Sequence, residues 1–159
     1  LAHAAAAPCL TPGEFSALSS YALPSVITGT AQRCGASLPS QAYLKANGSQ
    51  LAARYAGLRQ SAWPGARAAL VKVAPAINPE AATLMAKLPD ETLQQIADAW
   101  VESLVAQQLP VERCASVDRL VRLLAPLPPE NTAELVALAV GLGAKAGVGR
   151  VGKLEICAG

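Results

Sequence analysis

Apolar residues recur at helical spacing along most of this chain. The clearest stretch begins at Asp90, where Leu93, Ile96, Ala97, Trp100, Val101, Leu104 and Val105 share one side of a helical wheel, with polar residues behind. That is the pattern of an amphipathic helix with one buried face, and Pro110 marks its end. A second row, Leu51, Tyr55, Leu58 and Ala62, predicts another helix, capped by Ser49. No segment alternates convincingly enough to predict a strand.

Start and stop signals divide the remainder. Thr11-Pro12-Gly13-Glu14 is a capping box with proline at the first helical position. The helix it opens is expected to run to about Tyr21 and stop before Pro24. Ser25 would open the next, ending at Cys34 with Gly35 placed for a left-handed cap. Pro39-Ser40 predicts a short helical turn broken at Asn47-Gly48. Pro64 stops or kinks the helix of Tyr55, and residues 66–74 form another, closed by Pro75. Asn78-Pro79 begins a piece ending at Leu88-Pro89. Residues 116–119 cap a helix to about Ala125, and Pro128-Pro129-Glu130 starts one reaching Gly141. The tail from Gly143 is glycine-rich and basic. The expected fold is all-α, an irregular orthogonal bundle of seven to eight short helices stapled by two disulfides.

Composition narrows the class. A chain of 159 residues fits one domain. Hydrophobic residues reach 52% but aromatics only 4%, and much of the apolar content is alanine. Alanine favours helix and lets helices approach closely. Charged residues are 15%, which with this apolar content argues against disorder. The longest uncharged run, Phe15 to Gln32, carries Pro24, Gly29 and several hydroxyl residues, so no transmembrane span is expected. Residues 1–8 include Ala2-His3-Ala4 and Ala5-Ala6-Ala7, the small-residue pattern of a signal-peptide remnant or of a disordered N-terminus. Residues 9–159 then form the single helical domain with its tail.

Four cysteines, Cys9, Cys34, Cys114 and Cys157, lie at wide spacings without a C-x-x-C pair, and the only histidine is His3. Zinc needs clustered ligands, so no metal or other cofactor is expected. Two disulfides fit better, which places the chain in the periplasm or outside the cell. If Pro24 turns an antiparallel hairpin, Cys9 comes to lie beside Cys34, and Cys114 meets Cys157 in the tail. Those are the expected pairs.

Catalytic constellations are lacking. Gly147-Val148-Gly149-Arg150-Val151-Gly152 spells GxGxxG, but without the strand before and helix after that a dinucleotide site requires. Asn47-Gly48-Ser49 matches a glycosylation sequon and reads better as a turn with a cap. Asp98 and Glu102, with Glu91 and Gln95, are expected on a solvated face. No G-x-S-x-G or Ser-x-x-Lys arrangement supports a serine nucleophile.

The candidate ligand-binding residues are Tyr55, Arg59 and Trp63, at i, i+4 and i+8, where an arginine between two rings would make a cation–π stack or line a pocket. Charge is also uneven. Residues 1–75 carry six Lys/Arg and one acid, and residues 76–140 carry four against nine acids. The basic half would suit an anionic partner, or the halves attract each other within the fold. Nucleic acid is not expected.

Three functions follow. The first is an exported, non-catalytic interaction module of the cell envelope, whose partner is another envelope protein. The second is a carrier or sensor for a small amphiphilic or anionic ligand held between helices. The third is a hydrolase using carboxylates alone. A largest cavity near Tyr55, Arg59 and Trp63, lined by apolar residues plus one arginine, would favour the second over the first, and a void-free core would remove it.

Overall fold

The structure, a computed structural model, describes residues 9–145, 150–151 and 154–157. Among them are seven helices: α1 (Pro12–Cys34), α2 (Tyr43–Ala56), α3 (Arg59–Ile77), α4 (Pro79–Lys87), α5 (Asp90–Gln108), α6 (Cys114–Leu124) and α7 (Pro129–Lys145). Two short strands follow, β1 (Arg150–Val151) and β2 (Leu154–Glu155), paired antiparallel with Arg150 opposite Glu155. The fold is an all-α bundle stapled by two disulfides, and several helices are longer than the sequence signals predict.

The Thr11 capping box forms as expected. Glu14 Oε1 accepts from the Thr11 N–H at 2.9 Å, and Thr11 Oγ1 accepts from the Glu14 N–H at 3.2 Å. Pro24, however, does not end the helix. It costs a backbone hydrogen bond and a steric clash, about 3 kcal/mol. Against that, α1 packs on α2, α3, α5 and α7 and buries Leu18 and Tyr21 before the proline and Leu23 and Ile27 around it. Each such side chain contributes roughly 1.5–3 kcal/mol, so burial on both sides outweighs the local break. Gly35 ends α1 with φ at −55°, right-handed rather than left-handed.

Asn47-Gly48 is likewise inside α2, and Gly48 is buried where a Cβ would meet the Cβ of Ala31 at 3.5 Å. The glycine marks a close crossing of α1 and α2, not a turn. Pro64 and Pro75 both lie within α3. Asn78 caps α4 as expected, its Oδ1 accepting from the N–H groups of Glu80 and Ala81 at 3.1 Å each. Ser116 is inside α6 rather than at its cap, because a short 3-10 turn over Val111–Arg113 leads directly into that helix. The strands in the tail are also a departure from the expected strand-free chain.

The cysteine pairing differs from expectation. Cys9 is bonded to Cys157 and Cys34 to Cys114, with Cα separations of 5.0 and 5.5 Å. The physical reason is the continuity of α1. A helix of 23 residues is about 34 Å long, so Cys9 and Cys34 stand at opposite ends of a rod. A disulfide needs Cα atoms within roughly 7 Å. The bond from Cys34 instead reaches the start of α6, with both sulfurs' residues buried in the core. At the other end, Leu10 lies beside Ile156 in a parallel bridge, with the Leu10 N–H donating to Glu155 at 2.8 Å and Cys157 N–H to Leu10 at 2.9 Å. The Cys9–Cys157 bond locks that junction.

The core has two parts, and α1 threads both. Its first half packs with Trp63, Leu70 and Val73 of α3 and Leu93 and Ala97 of α5. Its second half packs with Leu44, Leu51 and Tyr55 of α2, Cys114 of α6 and Ala133 of α7. Two disulfides in one chain fit an oxidising environment. Among the described residues no helix is long and apolar enough to cross a membrane.

Candidate functional site

The structure separates the three residues that sequence spacing put in one row. Tyr55 is one residue from the end of α2 and buried in the second part of the core. Gly57 and Leu58 interrupt the helix, so Arg59 and Trp63 belong to α3, and the i, i+4 relation between Tyr55 and Arg59 crosses a helix break. Arg59 finds its ring elsewhere. Its guanidinium carbon lies 4.4 Å from the ring centroid of Tyr21 on α1, and the Tyr21 ring in turn meets Trp63 at 4.9 Å between centroids. One guanidinium nitrogen donates to both carboxylate oxygens of Asp98, at 2.9 and 2.8 Å, and to the Tyr21 hydroxyl. The hydroxyl donates to Asp98 at 3.2 Å.

Asp98 is therefore not on a solvated face. It is half-buried and paired. Burial lifts the Tyr21 hydroxyl above its ordinary value of 10.0, with the Asp98 carboxylate pushing the same way and Arg59 partly opposing. For Arg59, burial works against the charge, but the Asp98 and Tyr21 hydrogen bonds outweigh it and the pKa rises. The cluster is a partly buried cation–anion–phenol unit whose groups pair with one another.

The charge asymmetry is consumed in the same manner. Arg33 Nε donates to the carbonyl of Leu109 at the end of α5 (3.1 Å). Arg54 donates to the carbonyls of Ala125 and Leu127 after α6 (2.9 and 3.5 Å). Arg67 donates to Ala86 and Leu88 at the end of α4 and pairs with Asp90 at the start of α5 at 2.9 Å. Lys72 pairs with Glu14 at 2.7 Å, and Lys45 donates to Leu38 at 3.4 Å. Helix C-termini carry unpaired carbonyls and partial negative charge, which arginines satisfy well. All six cations of residues 1–75 thus have partners inside the fold, four of them in the acidic half. These cations therefore tie parts of the fold together, although Arg33, Lys45 and Arg54 remain exposed residues.

What the sequence did not reveal is apolar space beside Trp100. One chamber of about 220 Å³ lies between α3, α4 and α5, walled by Leu70, Ala74, Ile77, Met85, Ile96 and Trp100, with Asn78 also lining it. A second, also about 220 Å³, lies along α1 and α5 and reaches Val136 of α7. They share Leu70, Ala97 and Trp100. The first chamber exists because α4 is only nine residues long and buries no side chain, so it cannot cover the apolar face of α5. Ile96, expected in the core, is 44% exposed for that reason, and Trp100 is half-buried. The available sequence signal was the shortness and low bulk of the segment between Pro79 and Pro89, set against the long apolar stripe that follows.

Other candidates give less. Among the described residues no group of His, Cys, Asp and Glu could hold a metal ion. His3 lies outside the described residues, as does most of the GxGxxG segment, whose Arg150 and Val151 form β1.

The fold and its cavities define a class, a disulfide-stapled helical bundle with apolar chambers between its helices. No known protein family, curated protein or solved structure is significantly similar to the chain.

Proposed function

We propose that this chain is an exported, non-catalytic carrier or sensor, which holds a small amphiphilic molecule between α3, α4 and α5. The observation that carries this function is the pair of apolar chambers meeting at Trp100. Apolar cavities between helices with few polar groups are the usual form of small-molecule sites. An apolar occupant of a space this size gains dispersion contacts along its walls. Export is supported by the two disulfides, and an uncharged ligand is favoured by chamber walls that, among the described residues, carry no charged side chain.

The test is organic extraction of the natively oxidised protein purified from its own host, followed by mass spectrometry of the extract. An apolar molecule recovered in proportion to protein is expected, and its loss from an Ile96→Arg variant that keeps its helical spectrum. A clean extract, together with no uptake of the uncharged dye N-phenyl-1-naphthylamine, would remove the proposal.

A second function, the envelope interaction module, has its own support. Leu120 and Leu123 of α6 are 54% and 63% exposed, and Leu135 and Leu138 of α7 are also exposed. Leucines grouped at helical spacing on a surface mark protein contacts more often than isolated ones do. Proteins that co-purify with the wild type and are lost from Leu120→Gln/Leu123→Gln would favour it.

A further inference from the structure

Resting on the carrier function proposed above, we propose that the ligand is an uncharged single-chain amphiphile and that Trp100 sets the length of hydrocarbon chain the first chamber accepts.

The chemistry of the walls argues for the head group. Among the described residues no charged side chain lines the first chamber, and Asn78 is its one polar lining residue. A carboxylate or ammonium drawn inside would lose its hydration without gaining a partner. Asn78 is exposed, and its Oδ1 is committed to the N–H groups of Glu80 and Ala81. That leaves the Nδ2 amide hydrogens as donors at this edge. A donor without a cation suits a neutral acceptor: a hydroxyl, an ester carbonyl or an ether oxygen.

The volume argues for the chain. An apolar cavity of about 150 Å³ lodges benzene, so by proportion a chamber of this size takes roughly eight or nine carbons. Beyond that length the chain meets the wall shared with the second chamber, made of Leu70, Ala97 and Trp100. Leu70 and Ala97 are buried in the core, whereas Trp100 is half-buried and the largest of the three. The indole is the partition. Removing it joins the chambers and roughly doubles the space.

Straight-chain 1-alkanols from butanol to tetradecanol, titrated calorimetrically into the oxidised protein, test this. Each methylene that enters the chamber is expected to tighten binding about fourfold, the equivalent of about 0.8 kcal/mol. The gain should stop at about eight or nine carbons. Trp100→Ala should extend the gain to longer alcohols. Ala81→Leu is the second variant, on exposed helix α4 where it does not threaten the core. Ala81 lines only the first chamber, so the added bulk should bring the limit in by about three carbons. Decanoate should bind at least tenfold more weakly than decanol.

A gain that continues through the whole wild-type series, a limit that a folded Trp100→Ala leaves unmoved, or one that Ala81→Leu leaves unmoved, overturns the role of Trp100 in the first chamber and leaves the carrier function standing. Decanoate binding as tightly as decanol overturns the uncharged head group. Failure of every alcohol to bind overturns both this proposal and the carrier function.

Discussion

Ala17 on α1 and Gly65 on α3 meet where the two helices cross, so closely that a side chain on Gly65 would begin 2.8 Å from the Cβ of Ala17. Real Cβ atoms do not approach to that distance, so the crossing depends on glycine. Gly29 plays the same part against α5, where its Cβ would meet the Glu102 backbone at 3.2 Å. An alanine-rich chain with few aromatics obtains its packing from such approaches, since dispersion grows as helices close on one another.

Gly65→Ala is therefore expected to destabilise the protein by about 1–3 kcal/mol, despite a helix-propensity gain of about 1 kcal/mol. Ala17→Gly in the same molecule opens the space, so the double variant should be more stable than the sum of the singles. Urea denaturation of the four proteins measures the coupling. Simple additivity would show that the crossing adjusts without cost.

Breaking the Arg59–Asp98 pair strands a half-buried charge. Arg59→Met and Asp98→Asn are each expected to cost about 1–3 kcal/mol, and the double variant less than their sum, because a charged partner left alone is the expensive species. The same denaturation cycle measures it, and independent effects would mean that the pair is solvated.

Tyr21 carries a pH signature. Its hydroxyl is raised above 10.0 in the fold, so the folded state holds its proton more tightly than the unfolded chain does. Its contribution is complete below pH 10 and is lost as pH rises through the folded value. Tyr21→Phe should show a shallower decline of stability above pH 10 than the wild type. Parallel alkaline limbs would contradict the assignment.

Glu14 acts at the opposite end of the scale. The Lys72 ammonium, followed by the Thr11 N–H, holds its carboxyl below the ordinary value of 4.5, with burial opposing. The unfolded chain then binds the proton more readily, so the stabilisation is present above pH 4.5 and lost as pH falls through the folded value. Glu14→Gln should flatten stability against pH in that interval, as followed by thermal melts. Equal acid slopes in both proteins would refute it.

Non-reducing peptide mapping should recover Cys9 joined to Cys157 and Cys34 joined to Cys114. The loops closed, 148 and 80 residues apart in sequence, correspond to about 5 and about 4.5 kcal/mol by chain entropy. Cys34→Ala/Cys114→Ala is nevertheless expected to be the more damaging pair, since both residues are buried and their removal also leaves a cavity. The Cys9→Ser/Cys157→Ser pair should instead speed amide exchange at Leu10, whose N–H donates to Glu155 across the same junction. The reverse order of stability loss would show that Cys34 and Cys114 relax without a void.

Much of the candidate site was illegible before folding. Trp100 was assigned to the core from its stripe, and nothing local states that α4 is too slight to cover it. Arg59 was expected between Tyr55 and Trp63 at a ligand, whereas its partners in the fold, Tyr21 and Asp98, lie 38 and 39 residues away. The N-terminus of α2 is a similar case. Its own preceding residue, Ala42, offers no side-chain cap, and Asp118 of α6 supplies one by accepting from the N–H groups of Tyr43 and Leu44 at 3.3 and 2.7 Å. A cap that comes from 74 residues along the chain has no sequence motif.

The sequence by itself determined what depends on neighbours within a few residues. It settled the helical class, the box at Thr11, the cap at Asn78, the span of α5 from Asp90 to the turn before Pro110, and the oxidised state of four scattered cysteines. Tertiary structure decided whether a local break is obeyed. Pro24 and Asn47-Gly48 were overridden because burial on both sides of each exceeds the few kcal/mol of a lost bond. Once α1 was continuous, its length ruled out Cys9–Cys34, and the packing of the other helices around it decided which cysteine each sulfur meets, where the arginines find their carbonyls, and that apolar space remains beside Trp100.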